Sequence, residues 1–184
     1  GLKVRFTNGY SWPELVKLYK DGEIDLLQSV ILTKNNRNLG LSGSSYAQLP
    51  FAVATGENSS PITDLSQLNK QQLAVPAGWS IIPIIHARYP LIEIVETEST
   101  LQALELVLAG KVTAALDNEV IIRYIARSYF LTGLQVNNKV NFGENALPDK
   151  LHIVVPADKP QLRKLIDKAI AAIGETQLEY LSDK

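Results

Sequence analysis

The sequence predicts an α/β fold with a parallel sheet, and the stretch of residues 73–118 carries that prediction. Short β-branched apolar runs here alternate with longer runs whose apolar residues recur at helical spacing, which is typical of a βαβαβ unit. Turn residues separate the runs, since Pro90 ends the first helical run and Gly110 follows the second. The crossovers of such a unit are right-handed, so its strands lie parallel.

The elements of this unit are predicted from its punctuation. Its strands are expected at residues 73–75, 92–95 and 113–116. Ser80 is predicted to open the first helix, and Ser99 with Gln102 has the spacing of a capping box for the second. The loops that leave the strand ends, at 78–80 and 117–118, are expected to face one crevice in which a ligand can bind.

The segment that precedes this unit is predicted to hold strands and one short helix. Alternating apolar residues predict a strand at 2–6, and Ser11 with Glu14 predicts a helix that ends before Gly22. The remaining predictions for this segment are strands at 24–27, 28–32 and 51–54, a polar turn at 33–37 and a hydroxyl-rich loop at 42–46.

The rest of the chain is predicted to complete a second lobe and then return to the first. A break rich in glycine, serine and proline at residues 56–61 is interpreted as the lobe boundary. The first lobe is expected to comprise residues 1–55 with 150–184, and the second lobe residues 56–149. The elements predicted after residue 118 are helices at 120–133, 162–173 and 177–181, and strands at 134–136 and 151–155.

Composition narrows the classes of function. The 18 basic and 19 acidic residues give a net charge of -1, which argues against a nucleic-acid surface and against a polybasic membrane patch. The absence of cysteine excludes disulfides, thiolate metal sites and cysteine nucleophiles. The apolar runs are too short to span a membrane. Because the chain begins with Gly1 and has no methionine, we expect it to be an excised piece of a longer protein.

Motifs in a fixed order run along nearly the whole chain. They are SWPELVKLYKDGEID at 11–25, LAVPAGWSI at 73–81, ALELVLAGKVTAALDN at 103–118 and VVPADKPQLRKLIDKAIAAI at 154–173. Together they resemble the type 2 periplasmic binding proteins, in particular family 3 of the bacterial extracellular solute-binding proteins. The pattern is most similar to the Venus-flytrap sensor modules of bacterial sensor histidine kinases and diguanylate cyclases. The resemblance implies two three-layer αβα lobes, with the first lobe truncated at its N-terminus.

The resemblance also implies a function. The chain would be the periplasmic part of an inner-membrane receptor, a histidine kinase or a GGDEF diguanylate cyclase, and would sense a small polar ligand such as an amino acid. The domain itself would not be an enzyme and would use no cofactor, metal ion or nucleic acid. Whether it forms a homodimer is an open question at this point. Two alternatives remain, namely the solute-binding protein of an ABC amino-acid transporter and the binding-protein-like domain of a lytic transglycosylase.

The first group of site residues implied by the resemblance lies before residue 50. Arg37 would bind the ligand α-carboxylate through its planar guanidinium, although a solvated loop arginine is the alternative. Thr33 and Ser29 would add hydroxyl donors, although ordinary turn polarity also explains them. Tyr46 would line the cleft. Trp12 is a second candidate for the cleft wall, although its place at a helix start favours a core role.

The second group belongs to the βαβαβ unit. Asp117 would bind the ligand amino group, and its alternative role is to cap the following helix. Gly78, Trp79 and Ser80 would bind a carboxylate through backbone N–H groups, and Trp79 would either stack on the ligand or act as a lid between the lobes. Both histidines are interpreted as structural, and we expect no catalytic residue.

Overall fold

Two β-sheets form the framework of the fold in the computed structural model, which describes residues 3–143 and 147–173. The elements in chain order are α1 (Trp12–Lys20), β1 (Leu27–Ile31), β2 (Leu41–Gln48), β3 (Phe51–Gly56), β4 (Gln72–Pro76), α2 (Ile82–Arg88), β5 (Glu93–Thr97), α3 (Thr100–Leu108), β6 (Ala114–Asn118), α4 (Glu119–Ser128), β7 (Leu134–Asn137), β8 (Lys150–Val155) and α5 (Pro160–Ile173).

The smaller sheet has three antiparallel strands in the order β1, β8, β2. Helix α1 packs on this sheet through Tyr19, which is buried against Leu27, Val30 and Val154. Helix α5 packs on β2, where the Ser44 amide donates a hydrogen bond of 2.8 Å to a carboxylate oxygen of Asp167. The strand that returns late in the chain therefore lies between the two early ones.

The larger sheet has five strands in the order β5, β4, β6, β3, β7. Strand β4 is parallel to both β5 and β6, so the run from β4 to β6 forms the predicted βαβαβ unit. Strand β3 is antiparallel to β6 and β7, and its register places Ala52 opposite Asp117. This register fixes the position of Asp117 at the carboxyl end of β6.

The core is divided by the two faces of β3. Phe51 and Val53 face a large apolar cluster that also contains Ile31 and Leu151 of the smaller sheet, so this cluster joins the two sheets. Ala52 and Ala54 face a second cluster formed mainly with helices α3 and α4. Alternate residues of a strand point to opposite faces, and the small alanines allow the helices to approach closely.

Several predicted elements match the structure, including the strand at 51–54 and the polar turn at 33–37. Two predictions are wrong. Residues 3–6 of the expected strand at 2–6 are not in a strand, and Val4 and Phe6 are 77% and 68% exposed. The expected loop at 42–46 lies inside β2, because those residues pair with β8 far along the chain.

Smaller differences concern element ends. Helix α2 begins at Ile82 rather than Ser80, and only one strand, starting at Leu27, occupies the region predicted as two. Sheet membership groups β3 with the larger sheet, whereas the predicted lobe boundary follows it; the division into lobes stays a prediction. The predicted helix at 177–181 lies outside the described residues.

Candidate ligand-binding site

A cavity of about 370 Å³ lies between the two sheets, at the carboxyl end of β6. Its apolar wall consists of Trp12, Leu15, Ile31, Leu49, Trp79, Ile121 and Leu151. Its polar wall consists of Gln28, Ser29, Asn36, Ser80, Thr100, Asp117 and Asn118. We call this space the inter-sheet cavity. A mostly apolar cleft with a few convergent polar groups is the usual form of a small-molecule site.

Asp117 is the most unusual residue of the inter-sheet cavity. Its side chain is buried, with only 1% of the residue exposed. The Asn118 amide donates a hydrogen bond of 2.6 Å to one carboxylate oxygen, and the Thr100 hydroxyl donates to the other. Burial raises the pKa of Asp117 from 3.8 to about 6, against the smaller opposing effect of these two bonds.

The charge of Asp117 is not compensated within residues 3–143 and 147–173, where none of the ion pairs includes it. A pKa of about 6 leaves the carboxyl mostly ionised at neutral pH. A buried charge without a counter-ion is costly, and a ligand cation would remove much of that cost. This wall of the cavity is therefore suited to a protonated amine.

The opposite wall contains a backbone irregularity in β1. Ser29 has a φ of 59°, which is rare for a residue other than glycine, and the register with β8 shifts between Leu27 and Val30. The Tyr46 hydroxyl accepts a hydrogen bond of 3.0 Å from the Ser29 amide and lies 3.1 Å from the Ser29 hydroxyl. Such bulges re-aim side chains and are frequent at functional sites.

The loop after β4 forms a third wall. Trp79 packs edge-to-face on Phe51, with ring centroids 5.9 Å apart. The Ser80 hydroxyl donates a hydrogen bond of 3.3 Å to the Ile31 carbonyl, which joins this loop to the smaller sheet. Trp12 lines the cavity and also packs beside the α1 core, so both roles considered for it from the sequence apply.

Gly78 belongs to the same loop but is not among the residues that line the cavity. Its backbone amide donates a hydrogen bond of 3.1 Å to the Glu96 carboxylate. Its φ is 76°, and a Cβ atom added to it would lie 3.1 Å from the Pro13 ring. The loop amide expected to face a ligand therefore faces a carboxylate of the chain itself.

Arg37 lines a separate cavity of about 380 Å³, together with Gly40 and Ser42. Asn36 borders both cavities. Its side-chain nitrogen donates a hydrogen bond of 2.7 Å to the Ile31 carbonyl, and its side-chain oxygen accepts one of 2.8 Å from the Thr33 backbone amide. The Thr33 hydroxyl is buried and lacks a partner among the described residues.

The structure thus brings together four of the predicted site residues, Ser29, Trp79, Ser80 and Asp117, with Tyr46 bonded behind Ser29. It leaves Arg37, Thr33 and Gly78 outside the inter-sheet cavity. Thr100, the hydroxyl partner of Asp117, is not among the predicted site residues. A signal was available, since Thr100 opens the helix that begins beside the strand ends.

No family model matches the chain. The virulence sensor protein BvgS of Bordetella bronchiseptica is 19% identical over 165 residues, which cover 90% of this chain and 13% of that protein. The sensor protein EvgS of Escherichia coli K12 is 20% identical over 89% of this chain and likewise 13% of its own length.

Solved structures give a closer match in shape. The periplasmic VFT2 domain of Bordetella pertussis BvgS superimposes with a TM-score of 0.76 at 18% identity, over 91% of this chain and 70% of that chain. An amino acid ABC transporter substrate-binding protein from Streptococcus pneumoniae, bound to L-arginine, has a TM-score of 0.81 at 16% identity. The match covers 95% of this chain and 73% of that chain.

The chain has the Venus-flytrap fold of type 2 periplasmic binding proteins. The predicted fold class and the predicted similarity to the sensor modules of histidine kinases are confirmed. The similarity to diguanylate cyclases stays a prediction. The Venus-flytrap domain spans only 13% of the length of the sensor proteins it matches. None of the helices within its described residues is long and apolar enough to cross a membrane.

Proposed function

We propose that this Venus-flytrap domain is the periplasmic sensing domain of a membrane-bound bacterial receptor, and that it binds a small amine-bearing molecule of amino-acid size. The observation that carries the proposal is the buried, uncompensated carboxylate of Asp117 on the inter-sheet cavity. The relatives BvgS and EvgS are named as sensor proteins, which supports the receptor role. The arginine-bound neighbour supports the size and charge of the ligand.

Signalling would follow from closure of the two sheets around the ligand. Residues of both sheets line the cavity, with Ser29 on the smaller one and Asp117 on the larger one. A ligand that contacts both stabilises the arrangement in which they are close, and it shifts the population of receptor states by that difference in affinity.

A second candidate function is solute capture for an ABC transporter, and the TM-score of 0.81 with a transporter substrate-binding protein favours it. The two functions require the same cavity chemistry and differ in what the domain is attached to. The sequence of the whole gene decides between them, because a membrane span followed by a kinase domain would establish the receptor.

Thermal-shift measurement of the purified chain tests the ligand-binding role. A panel of amino acids and small amines is screened, and a ligand present at 100 times its Kd is expected to stabilise the fold by about 2.7 kcal/mol. Asp117→Asn should reduce the shift by about half or more, whereas Asp158→Asn, a matched change at an exposed position, should preserve it. A panel that produces no shift, or a shift that Asp117→Asn leaves intact, contradicts the proposal.

A further inference from the structure

We infer that the ligand of the inter-sheet cavity is an aromatic or branched alkyl amine that lacks a carboxylate, rather than a zwitterionic amino acid. The inference rests on the proposed function and narrows its ligand class. It depends on which charges and hydrogen-bond donors the cavity offers.

The charge of the cavity has one sign. Asp117 is the only charged side chain among the described residues that line it. A protonated amine has a partner there, whereas a ligand carboxylate would meet a like charge. Like charges brought together in a buried site cost enough to exclude a partner.

Four side-chain hydrogen-bond donors of the cavity are already engaged within the chain. The Ser80 hydroxyl and the Asn36 amide both donate to the Ile31 carbonyl. The Thr100 hydroxyl donates to Asp117. The side-chain amide of Asn118 donates a hydrogen bond of 2.6 Å to the Leu49 carbonyl. A carboxylate would have to break these bonds in order to use those four groups. The other side-chain N–H donors of the lining, on Gln28, Trp12 and Trp79, are neutral and would leave its charge without a counter-ion.

The two groups that would normally balance a carboxylate are directed elsewhere. Arg37 lines the neighbouring cavity, and the Asn36 side chain, fixed by hydrogen bonds to Ile31 and Thr33, borders both spaces. The Gly78 amide donates to the Glu96 carboxylate. The Glu96 carboxylate therefore takes the place at the Gly78 amide that the α-carboxylate of an amino acid would need.

The remaining wall of the cavity suits an apolar body. Trp12 and Trp79 present aromatic surface, and Leu49, Ile121 and Leu151 present aliphatic surface. Burial of an aromatic or branched alkyl group against such side chains is favourable in proportion to the area removed from water. Aromatic faces also attract an ammonium group.

Isothermal titration of the purified chain with matched pairs tests the inference. The pairs are phenethylamine with L-phenylalanine, and 3-methylbutylamine with L-leucine. We expect the amine of a pair to bind more tightly than its amino acid, by about tenfold or more. Equal or tighter binding of the amino acid overturns the inference while leaving the proposed function standing. Absence of binding by both pairs also overturns it, and absence of any shift across the wider panel overturns the proposed function as well.

Variants make the test specific to the cavity. Asp117→Asn should weaken amine binding by about tenfold or more, and Asp158→Asn should leave it unchanged. Arg37→Ala is the deciding variant, because Arg37 lines the other cavity and should not affect amine affinity. If Arg37→Ala instead abolishes binding of an amino acid that competes with the amine, the guanidinium reaches the ligand and the inference is wrong.

Discussion

Asp117 is a buried carboxylate that destabilises the fold that holds it. Hydrogen bonds from Asn118 and Thr100 keep its carboxylate oriented toward the cavity, yet burial raises its pKa to about 6. The folded state therefore binds a proton at Asp117 more tightly than the unfolded state, in which the pKa is near 3.8. At neutral pH, ionised Asp117 therefore lowers the free energy of unfolding of the unliganded protein.

This destabilisation predicts a pH-dependent effect of Asp117→Asn on stability. Protonated Asp117 stabilises the fold below about pH 4, and that contribution is lost as the pH rises through 6. We expect Asp117→Asn to match the wild type near pH 4 and to exceed it at pH 8 by roughly 3 kcal/mol in free energy of unfolding. Urea denaturation across this range measures the difference.

The control for this comparison is Asp158→Asn, which makes the same substitution at an exposed position. A difference between Asp117→Asn and the wild type that is constant from pH 4 to pH 8 would show that burial does not perturb this carboxyl. The same two variants serve in the ligand experiments, so stability and binding can be compared directly.

At the scale of the elements, the N-terminus of helix α3 combines a helix cap predicted from the sequence with a residue of the cavity. The Ser99 hydroxyl accepts a hydrogen bond of 3.2 Å from the Gln102 backbone amide. The Gln102 side-chain oxygen accepts one of 2.7 Å from the Glu98 backbone amide. Helix α3 then begins at Thr100, whose hydroxyl donates to Asp117. The start of this helix therefore positions one donor of the site.

Removal of this cap should destabilise the protein by a predictable amount. We expect Ser99→Ala to lower the free energy of unfolding by about 1 kcal/mol, because one amide at the helix start loses its acceptor. Ser128→Ala, at the exposed last residue of α4, is the matched control and should stay within about 0.5 kcal/mol of the wild type. Equal effects of the two changes in chemical denaturation would mean that the Ser99 bond contributes nothing.

Elements whose signals are local were predictable from the sequence, and elements that need a distant partner were not. The Ser11 amide does donate to Glu14, at 2.7 Å, because both residues lie within one helical turn. The serine-rich residues of β2 form a strand because β8 pairs with them, and Gly43 allows a close approach of Asp167. Residues 3–6 alternate as a strand should, yet they lack a partner among the described residues and remain exposed.

At the scale of the whole molecule, the two sheets meet around the cavity through a shared apolar cluster and the Ser80 hydrogen bond to Ile31. Because residues of both sheets line the cavity, we expect a bound ligand to change the relative position of the sheets. Hinge closure of this kind needs only small adjustments in the connecting segments.

Distance measurement between spin labels tests this closure. The chain has no cysteine, so Lys34→Cys and Glu98→Cys would provide unique labelling sites at exposed positions beside the cavity residues Asn36 and Thr100. We expect an amine ligand to shift the label-to-label distance toward a shorter and narrower distribution. The Asp117→Asn background should need about tenfold more amine, or a larger excess, for the same change. Identical distributions with and without a bound ligand would contradict closure.

The sequence by itself determined the βαβαβ order, the helix caps and the place of Asp117 at a strand end, because periodicity and capping act over a few residues. Only the tertiary structure decided that Ser29 and Asp117 line one cavity while Arg37 lines another. The reason is that membership of a cavity depends on neighbours far apart in the chain. The Gly78 amide, which the sequence predicts to bind a ligand carboxylate, instead donates to Glu96, 18 residues further along the chain.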